Sequence, residues 1–418
     1  MRTLRILFTA YRGNMRCGGQ GIYLWFLARE LARLGHRVDV LVGPPYPDPM
    51  PFADSVREIH DDRFWGKWFT KDWASFLPRE NPAALLSPLR FWELGASRIG
   101  FFPEPAAFSV RAFREIARRL RAGGRWDVVH DVQCLGWGLL GVRALGVPVL
   151  STVHHPLTVD RRASFRRDRS LQEAVGTVEF HPVGMQAFVA RHLDAIVTSS
   201  KASAAEIRRD FGVAPDRLHM LGNGLDTDLF SPDEGVARSD DEILCVGRWS
   251  DPNKGIAFLV QALAKLPRRV RLVLVDEDHP QHDARRIARA GGFEDRIRIT
   301  GRVETDELVR LYRRAAVVAV PSLYEGFGLP AAEAMACGAP VVASAAGALP
   351  EVMETGGGGL VVPPADPDAL AKALATLLEQ PDARRRLGAE ARPRVVAAYS
   401  WSRIAVKTAE VYESVVRR

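Results

Sequence analysis

Strand-length apolar runs alternate with stretches of helical spacing along most of this chain, and the rhythm starts twice. A strand, a helix and a second strand close most simply as a parallel βαβ unit, because no tight turn joins parallel strands. The first start has a strand at Arg5–Ala10, a Gly-rich turn over Arg16-Cys17-Gly18-Gly19-Gln20-Gly21, a helix from Ile22 to Leu34 stopped by Gly35, and a strand at Arg37–Val42. Further strands are predicted at Val128–His130, Val147–Val153 and Ala195–Ser199, with helices at Val110–Arg121 and Ala202–Phe211. Residues 44–105 break the pattern with prolines and aromatic residues and read as an irregular insertion.

A turn-rich linker at Ser231-Pro232-Asp233-Glu234-Gly235 precedes the second start. Strands are predicted there at Ile243–Val246, Arg271–Val275, Ile297–Thr300, Val317–Val320 and Val341–Ala343. Helices are predicted at Ile256–Leu266, Glu307–Ala315, Pro330–Cys337, Asp368–Leu378, Asp382–Ala398 and Trp401–Arg417. With 418 residues, each half can bury a core of its own. The expected division is 1–231, 232–399 and a final helix over 400–418.

Composition excludes several classes. No apolar run reaches the roughly 18 residues that cross a bilayer. The first apolar run, Ile6–Ala10, is strand-sized and short for a signal peptide, so a cytoplasmic protein is expected. Four dispersed cysteines, Cys17, Cys134, Cys245 and Cys337, form no Cys-x-x-Cys pair and suggest buried thiols rather than zinc or redox chemistry. The net charge of +7 would suit nucleic acid, anionic lipid or phosphorylated substrates. The arginines are scattered over helices, which reads as solvated surface, and no nucleic-acid-reading module is present.

The most informative segment runs from Pro321 to Gly338. A buried strand ends at Pro321, a Gly-rich turn follows, and Pro330 stands where a helix begins, its missing N–H being no loss there. Ligands of open α/β sheets bind at such strand ends. Backbone N–H groups of Gly326, Phe327, Gly328 and Leu329 could meet phosphate oxygens, aided by the helix dipole. Glu333, in the first helical turn, could accept hydrogen bonds from vicinal hydroxyls, or simply complement the dipole. Glu325 and Glu333 with the intervening Gly-Phe-Gly-Leu-Pro resemble the E-x7-E motif of retaining GT-B glycosyltransferases of family 4. The resemblance implies that Glu333 binds the donor ribose and Glu325 contacts donor sugar hydroxyls.

Other segments carry the same resemblance. Val246-Gly247-Arg248-Trp249-Ser250-Asp251-Pro252-Asn253-Lys254-Gly255 is similar to the family's strand-turn with Arg and Lys. Two fixed cations, Arg248 and Lys254, suit the charge that develops on a departing nucleoside diphosphate; ordinary surface charges are the plainer reading. The Gly18-Gly19 loop does not fit G-x-G-x-x-G, and no acidic residue ends the next strand, which disfavours a Rossmann dehydrogenase. In the family that loop faces donor phosphates and acceptor; a tight turn alone would explain it as well. Ser151-Thr152-Val153-His154-His155-Pro156 places a histidine after a strand, and the resemblance puts a functional histidine near the transferred sugar, with His154 the better match and His155 the alternative. Asn223-Gly224-Leu225-Asp226 resembles the family's turn beside the crevice, or is a plain Asx-type turn. Gly301-Arg302-Val303 resembles the turn whose backbone holds the nucleobase. One departure stands out: after Arg271–Val275 the family's Gly-x-Gly is replaced by Asp276-Glu277-Asp278-His279-Pro280. Two carboxylates there could repel a donor phosphate, reshape the loop or mark an unusual donor.

The resemblance implies two Rossmann-like doubly wound domains facing across a cleft, with acceptor bound by the first and donor by the second, and a final helix that crosses back to the first. It implies a retaining hexosyl transfer from a nucleotide-diphosphate sugar, a co-substrate rather than a cofactor, to a glycan, lipid or small molecule. No metal-ligand pattern is suggested, since Asp276-Glu277-Asp278 matches Asp-x-Asp in composition only. Among the alternatives, a catalytically inactive nucleotide-sugar-binding protein is kept open by the Asp276/Asp278 change, and an epimerase would need further acid–base carboxylates. Arg161 to Arg169 holds five arginines and one aspartate and is either a solvated helix face or a contact for an anionic acceptor or membrane. No nucleic acid partner is expected.

Overall fold

The computed structural model describes residues 2–15, 19–60, 83, 86–98, 101–165, 177, 182–279 and 282–417. The chain divides into two compact units. One comprises Met1–Ser199, Ser203–Leu221 and Ile404–Arg418; the other comprises Gly222–Arg403 with Ser200–Ala202.

The first unit carries seven strands: β1 (Arg5–Ala10), β2 (Arg37–Val42), β3 (Ser55–Glu58), β4 (Val128–Val132), β5 (Val149–Thr152), β6 (Ala195–Thr198) and β7 (Leu218–Met220). Their order across the sheet is β3-β2-β1-β4-β5-β6-β7, with parallel pairing throughout. β1, β4, β5 and β6 are buried on both faces along nearly their whole length, so their apolar residues run together instead of alternating, and the polar groups among them, His130 and Asp131 in β4, are buried too. The first helix spans Gly19–Arg33, three residues earlier than its sequence suggests. Gly21 lies inside it because a Cβ there would sit 2.2 Å from the Asn14 carbonyl oxygen, so helix and preceding loop approach only through glycine.

The second unit carries β8 (Glu242–Val246), β9 (Arg271–Val275), β10 (Ile297–Ile299), β11 (Val317–Val320), β12 (Val341–Ser344) and β13 (Gly359–Val362) in the order β10-β9-β8-β11-β12-β13, again parallel. The chain winds outward from β8 to β10, then returns to start the other side at β11. That reversal opens a crevice at the carboxyl ends of β8 and β11. Leu244, Val318 and Ala343 are fully buried beneath it; Leu244→Ala would cost about 2–5 kcal/mol through transfer and cavity terms. Asp366 caps the helix Pro367–Leu378, its carboxylate accepting from Asp368 N (3.0 Å) and Ala369 N (2.9 Å). Two doubly wound Rossmann-like sheets give the chain the GT-B fold class.

The stretch 44–105 is less irregular than its composition suggests. It contains β3 and the helix Pro88–Arg98, and the helix Glu104–Arg121 starts six residues before its expected position at Val110. Residues 61–82 of that stretch lie outside the described residues.

Candidate active site

Glycines set the crevice in the second unit. The loop after β8 makes a short 3₁₀ turn at Pro252–Lys254, held by Asp251, whose carboxylate accepts from Asn253 N at 3.0 Å. Gly255 then adopts φ +64, and a Cβ there would lie 2.1 Å from the Pro321 carbonyl oxygen. Only glycine lets the loop after β8 rest on the loop after β11. Leu323 N completes the join by donating to Asn253 O (2.6 Å).

This join brings Lys254 Nζ within 2.8 Å of Glu325 Oε1, which also accepts from Ser322 Oγ at 2.8 Å. Lys254 and Glu325 are both mostly buried. Gly347, at φ +54, passes so close that a Cβ would meet Glu325 O at 2.2 Å, and Ala348 N donates to that oxygen at 2.9 Å. The Glu325 main chain is thus fixed from both sides. Phe327 anchors the turn by packing edge-on against Tyr399, with ring centroids 5.0 Å apart. Gly328 takes φ +99 to open the helix Leu329–Ala336, whose first turn includes Pro330.

Glu333 lies one turn into that helix and accepts from Tyr312 Oη at 2.7 Å. Burial of its carboxyl raises the pKa to about 7 against the lowering effect of that hydrogen bond, so near neutral pH the group is divided between acid and carboxylate. Arg248 is exposed, and its side chain has no carboxylate partner among the described residues.

Asp276 and Asp278 reshape the loop after β9. Asp276 is buried; its Oδ2 accepts from Trp249 N (2.6 Å) and from His282 Nε2 (2.9 Å), and its Oδ1 accepts from Glu277 N (2.7 Å). His282 Nδ1 accepts from Ala284 N at 3.1 Å, which assigns the ring proton to Nε2. Asp278 pairs with Arg285 at 2.6 Å. Neither carboxylate is left unpartnered, and Trp249 stacks on His279 with ring centroids 5.3 Å apart.

In the first unit, His154 follows β5. Its backbone N donates to Gln133 Oε1 at 2.9 Å, and the Tyr23 ring packs edge-on against the imidazole at 4.9 Å. His154 Nε2 is buried and has no hydrogen-bond partner among the described residues. Burial, helped by neighbouring His155, lowers the pKa to about 4 and keeps the ring neutral. His130 is buried behind it, its Nδ1 2.5 Å from Tyr412 Oη and its Nε2 2.6 Å from Thr152 Oγ1.

Residues 17–229 match Glycosyltransferase Family 4, and residues 240–380 match Glycosyl transferases group 1. The chain belongs to Glycosyltransferase Family 4. Among its relatives is the MMP alpha-(1->4)-mannosyltransferase of Mycolicibacterium hassiacum, 40% identical, the match covering 99% of both chains. A D-inositol 3-phosphate glycosyltransferase of Xylanimonas cellulosilytica is 31% identical over 97% of this chain and 94% of that one. Sucrose-phosphate synthase of Thermosynechococcus elongatus superposes with a TM-score of 0.70, at 26% identity and 98% coverage of each chain. The protein is a glycosyltransferase.

Within this family 4 chain, the structure joins Lys254 to Glu325 directly and sets Gly326–Leu329 and Glu333 on the continuation of the same turn. It does not leave Arg302 open: the side chain pairs with Glu277, beside Val303. Asn223 and Asp226 serve their own turn. Gly224 N donates to Asn223 Oδ1 (3.0 Å), and Asp226 Oδ1 accepts from Asp228 N (3.3 Å) and Leu229 N (3.2 Å). A Cβ at Gly224 would collide with the Trp401 ring at 2.1 Å, so this motif packs the start of the last helix. Gly19 opens the first helix rather than sitting in the turn before it, and Gly18 lies outside the described residues. Sequence reasoning missed Tyr312, Ser322 and Gln133. Their contacts span 21, 3 and 21 residues, and no local spacing signals the two long ones.

Proposed function

We propose that this glycosyltransferase moves a mannosyl residue from a nucleotide-diphosphate mannose to a hydroxyl of a glycan acceptor, with retention and without a metal ion. The Lys254–Glu325 pair at the carboxyl ends of β8 and β11 carries this reading, because it sets a fixed cation beside a carboxylate at the ligand-binding end of the sheet. Lys254 and Arg248 hold the diphosphate, Glu325 takes sugar hydroxyls, and Glu333 accepts from the ribose. Amides of Gly326–Leu329 cap the phosphates, and the Arg302-Val303 backbone meets the base. His154 and the Gly18-Gly19 loop act on the transferred sugar and the acceptor, and Asn223 and Asp226 shape their own turn. The mannosyl choice rests on the 40%-identical mannosyltransferase, and an α-(1→4) product from an α-linked donor is retention.

In the reaction the C1–O bond to the diphosphate breaks as the acceptor oxygen bonds C1 on the same face. The acceptor proton passes to the departing phosphate oxygen, and the two cations stabilise the charge left there. Metal independence is supported by Asp276 and Asp278, whose carboxylates are taken up by Trp249 N, His282 and Arg285. The site needs no resident cofactor. The test is ¹H NMR of the disaccharide formed from α-linked nucleotide mannose in the presence of a chelator. An α-linked product supports the reading. A β-linked product, or activity abolished by chelation, refutes it.

A further inference from the structure

We infer that Gln133 is a positioning residue for His154, its side-chain amide clamping the His154–His155 backbone from a loop that Asp131 holds in a strained shape. This rests on the reading of His154 given above. Gln133 has φ +53 and Leu135 φ +48, both in the left-handed region that side chains avoid. Such residues persist only where surroundings over-determine them. Here the over-determining group is Asp131, fully buried at the end of β4. Its Oδ2 accepts from Cys134 N (3.0 Å), Leu135 N (3.1 Å) and Ser151 Oγ (2.7 Å), and its Oδ1 from Thr9 Oγ1 (3.2 Å).

The strained turn aims the Gln133 amide at the next strand end. Oε1 accepts from His154 N (2.9 Å), and Nε2 donates to His155 O (3.3 Å). Those partners also fix the amide's orientation, since one is a donor and the other an acceptor. From the opposite side, His154 O accepts from Ser203 Oγ at 2.9 Å, and Val153 O from Thr198 Oγ1 at 2.7 Å. The Tyr23 ring, whose hydroxyl meets Thr152 Oγ1 at 3.0 Å, limits ring rotation. Glycine would satisfy the backbone at 133 without strain but has no amide to offer. A side chain held there against strain points to the clamp as its use. The clamp fixes the main chain and leaves the ring nitrogen Nε2 unpartnered among the described residues, so the imidazole is aimed but not consumed.

The test compares Gln133→Gly, Gln133→Glu, His154→Ala and the Gln133→Gly/His154→Ala double variant. Each is assayed for turnover of GDP-, UDP- or ADP-mannose, whichever the wild type uses. Gln133→Gly is expected to lower kcat about 10- to 100-fold while donor KM stays within about twofold, the pattern of lost aim rather than lost binding. Gln133→Glu keeps the acceptor for His154 N and loses the donor to His155 O, so its kcat should fall between. In the His154→Ala background the Gln133 change should add no further loss. An unchanged kcat in Gln133→Gly, or a loss that adds fully to that of His154→Ala, overturns the clamp alone. An unchanged kcat in His154→Ala overturns the reading of His154 and the clamp with it.

Discussion

The two units hold their candidate functional side chains in opposite ways. In the second, the side chains are themselves engaged: Lys254 pairs with Glu325, and Glu333 accepts from Tyr312. In the first, the backbone around His154 is tied at several points while its ring nitrogen Nε2 has no partner among the described residues. A site for a charged donor benefits from cations placed before the donor arrives, since preorganised charge costs no reorganisation during reaction. A neutral imidazole needs aim, which the main chain supplies. Burial shifts the two titrating groups in opposite directions, raising Glu333 to about 7 and lowering His154 to about 4. Both therefore spend part or all of the neutral range uncharged.

The largest effect should come from the charged side. Lys254→Ala should lower kcat/KM by about 10²- to 10³-fold, measured by donor turnover. Next, Gly255→Ala should destabilise the second unit by about 3 kcal/mol in urea unfolding, since φ +64 and the 2.1 Å approach to Pro321 O both reject a side chain. His282→Ala should cost about 1–3 kcal/mol by taking one partner from buried Asp276, and near-UV circular dichroism should report the loss of the tilted Trp249–His282 ring contact at 5.7 Å.

A pH experiment separates the units. The pKa of Glu333 is raised from 4.5 to about 7 in the fold, so its contribution to stability is fully present below about 4.5 and is lost as pH rises through about 7. Donor affinity should move the other way, strengthening as the carboxylate forms through about 7. Glu333→Gln should flatten both slopes, and His154→Ala should flatten neither, because the His154 ring is already neutral there. The smallest effect concerns the arginines that follow His154, of which Arg166, Arg167 and Arg169 lie outside the described residues. Arg162 is already paired with Asp210 and Glu206, so only a modest excess of co-sedimentation with anionic over neutral vesicles is expected.

The parts of the molecule that are legible in sequence are those whose physics is local. β8, β11 and β12 stand out because buried parallel strands are continuous apolar runs, and the turn after β11 because Gly328 and Pro330 mark a helix start. β3 escapes because Ser-Val-Arg-Glu is a largely exposed edge with no apolar signal. The short helix Leu349–Gly356 escapes because glycines and a proline bracket it like a loop. At the candidate site, spacing singles out Glu325, Glu333 and Lys254, and the structure joins Lys254 to Glu325 and Glu333 to Tyr312. The clamp at Gln133 depends on a positive φ that glutamine does not advertise, and Asp131 on contacts to residues as far away as Thr9. The acidic loop after β9 reads in sequence as a departure, and what Asp276 does there depends on its buried contacts with His282 and Trp249, which no local pattern encodes.

Calorimetric titration of UDP-, GDP- and ADP-mannose into the wild type, Lys254→Ala and Glu333→Ala gives the most direct check on the second unit as donor site. One donor should bind the wild type and neither variant. Failure of every donor to bind the wild type, or equal binding to all three proteins, would contradict it.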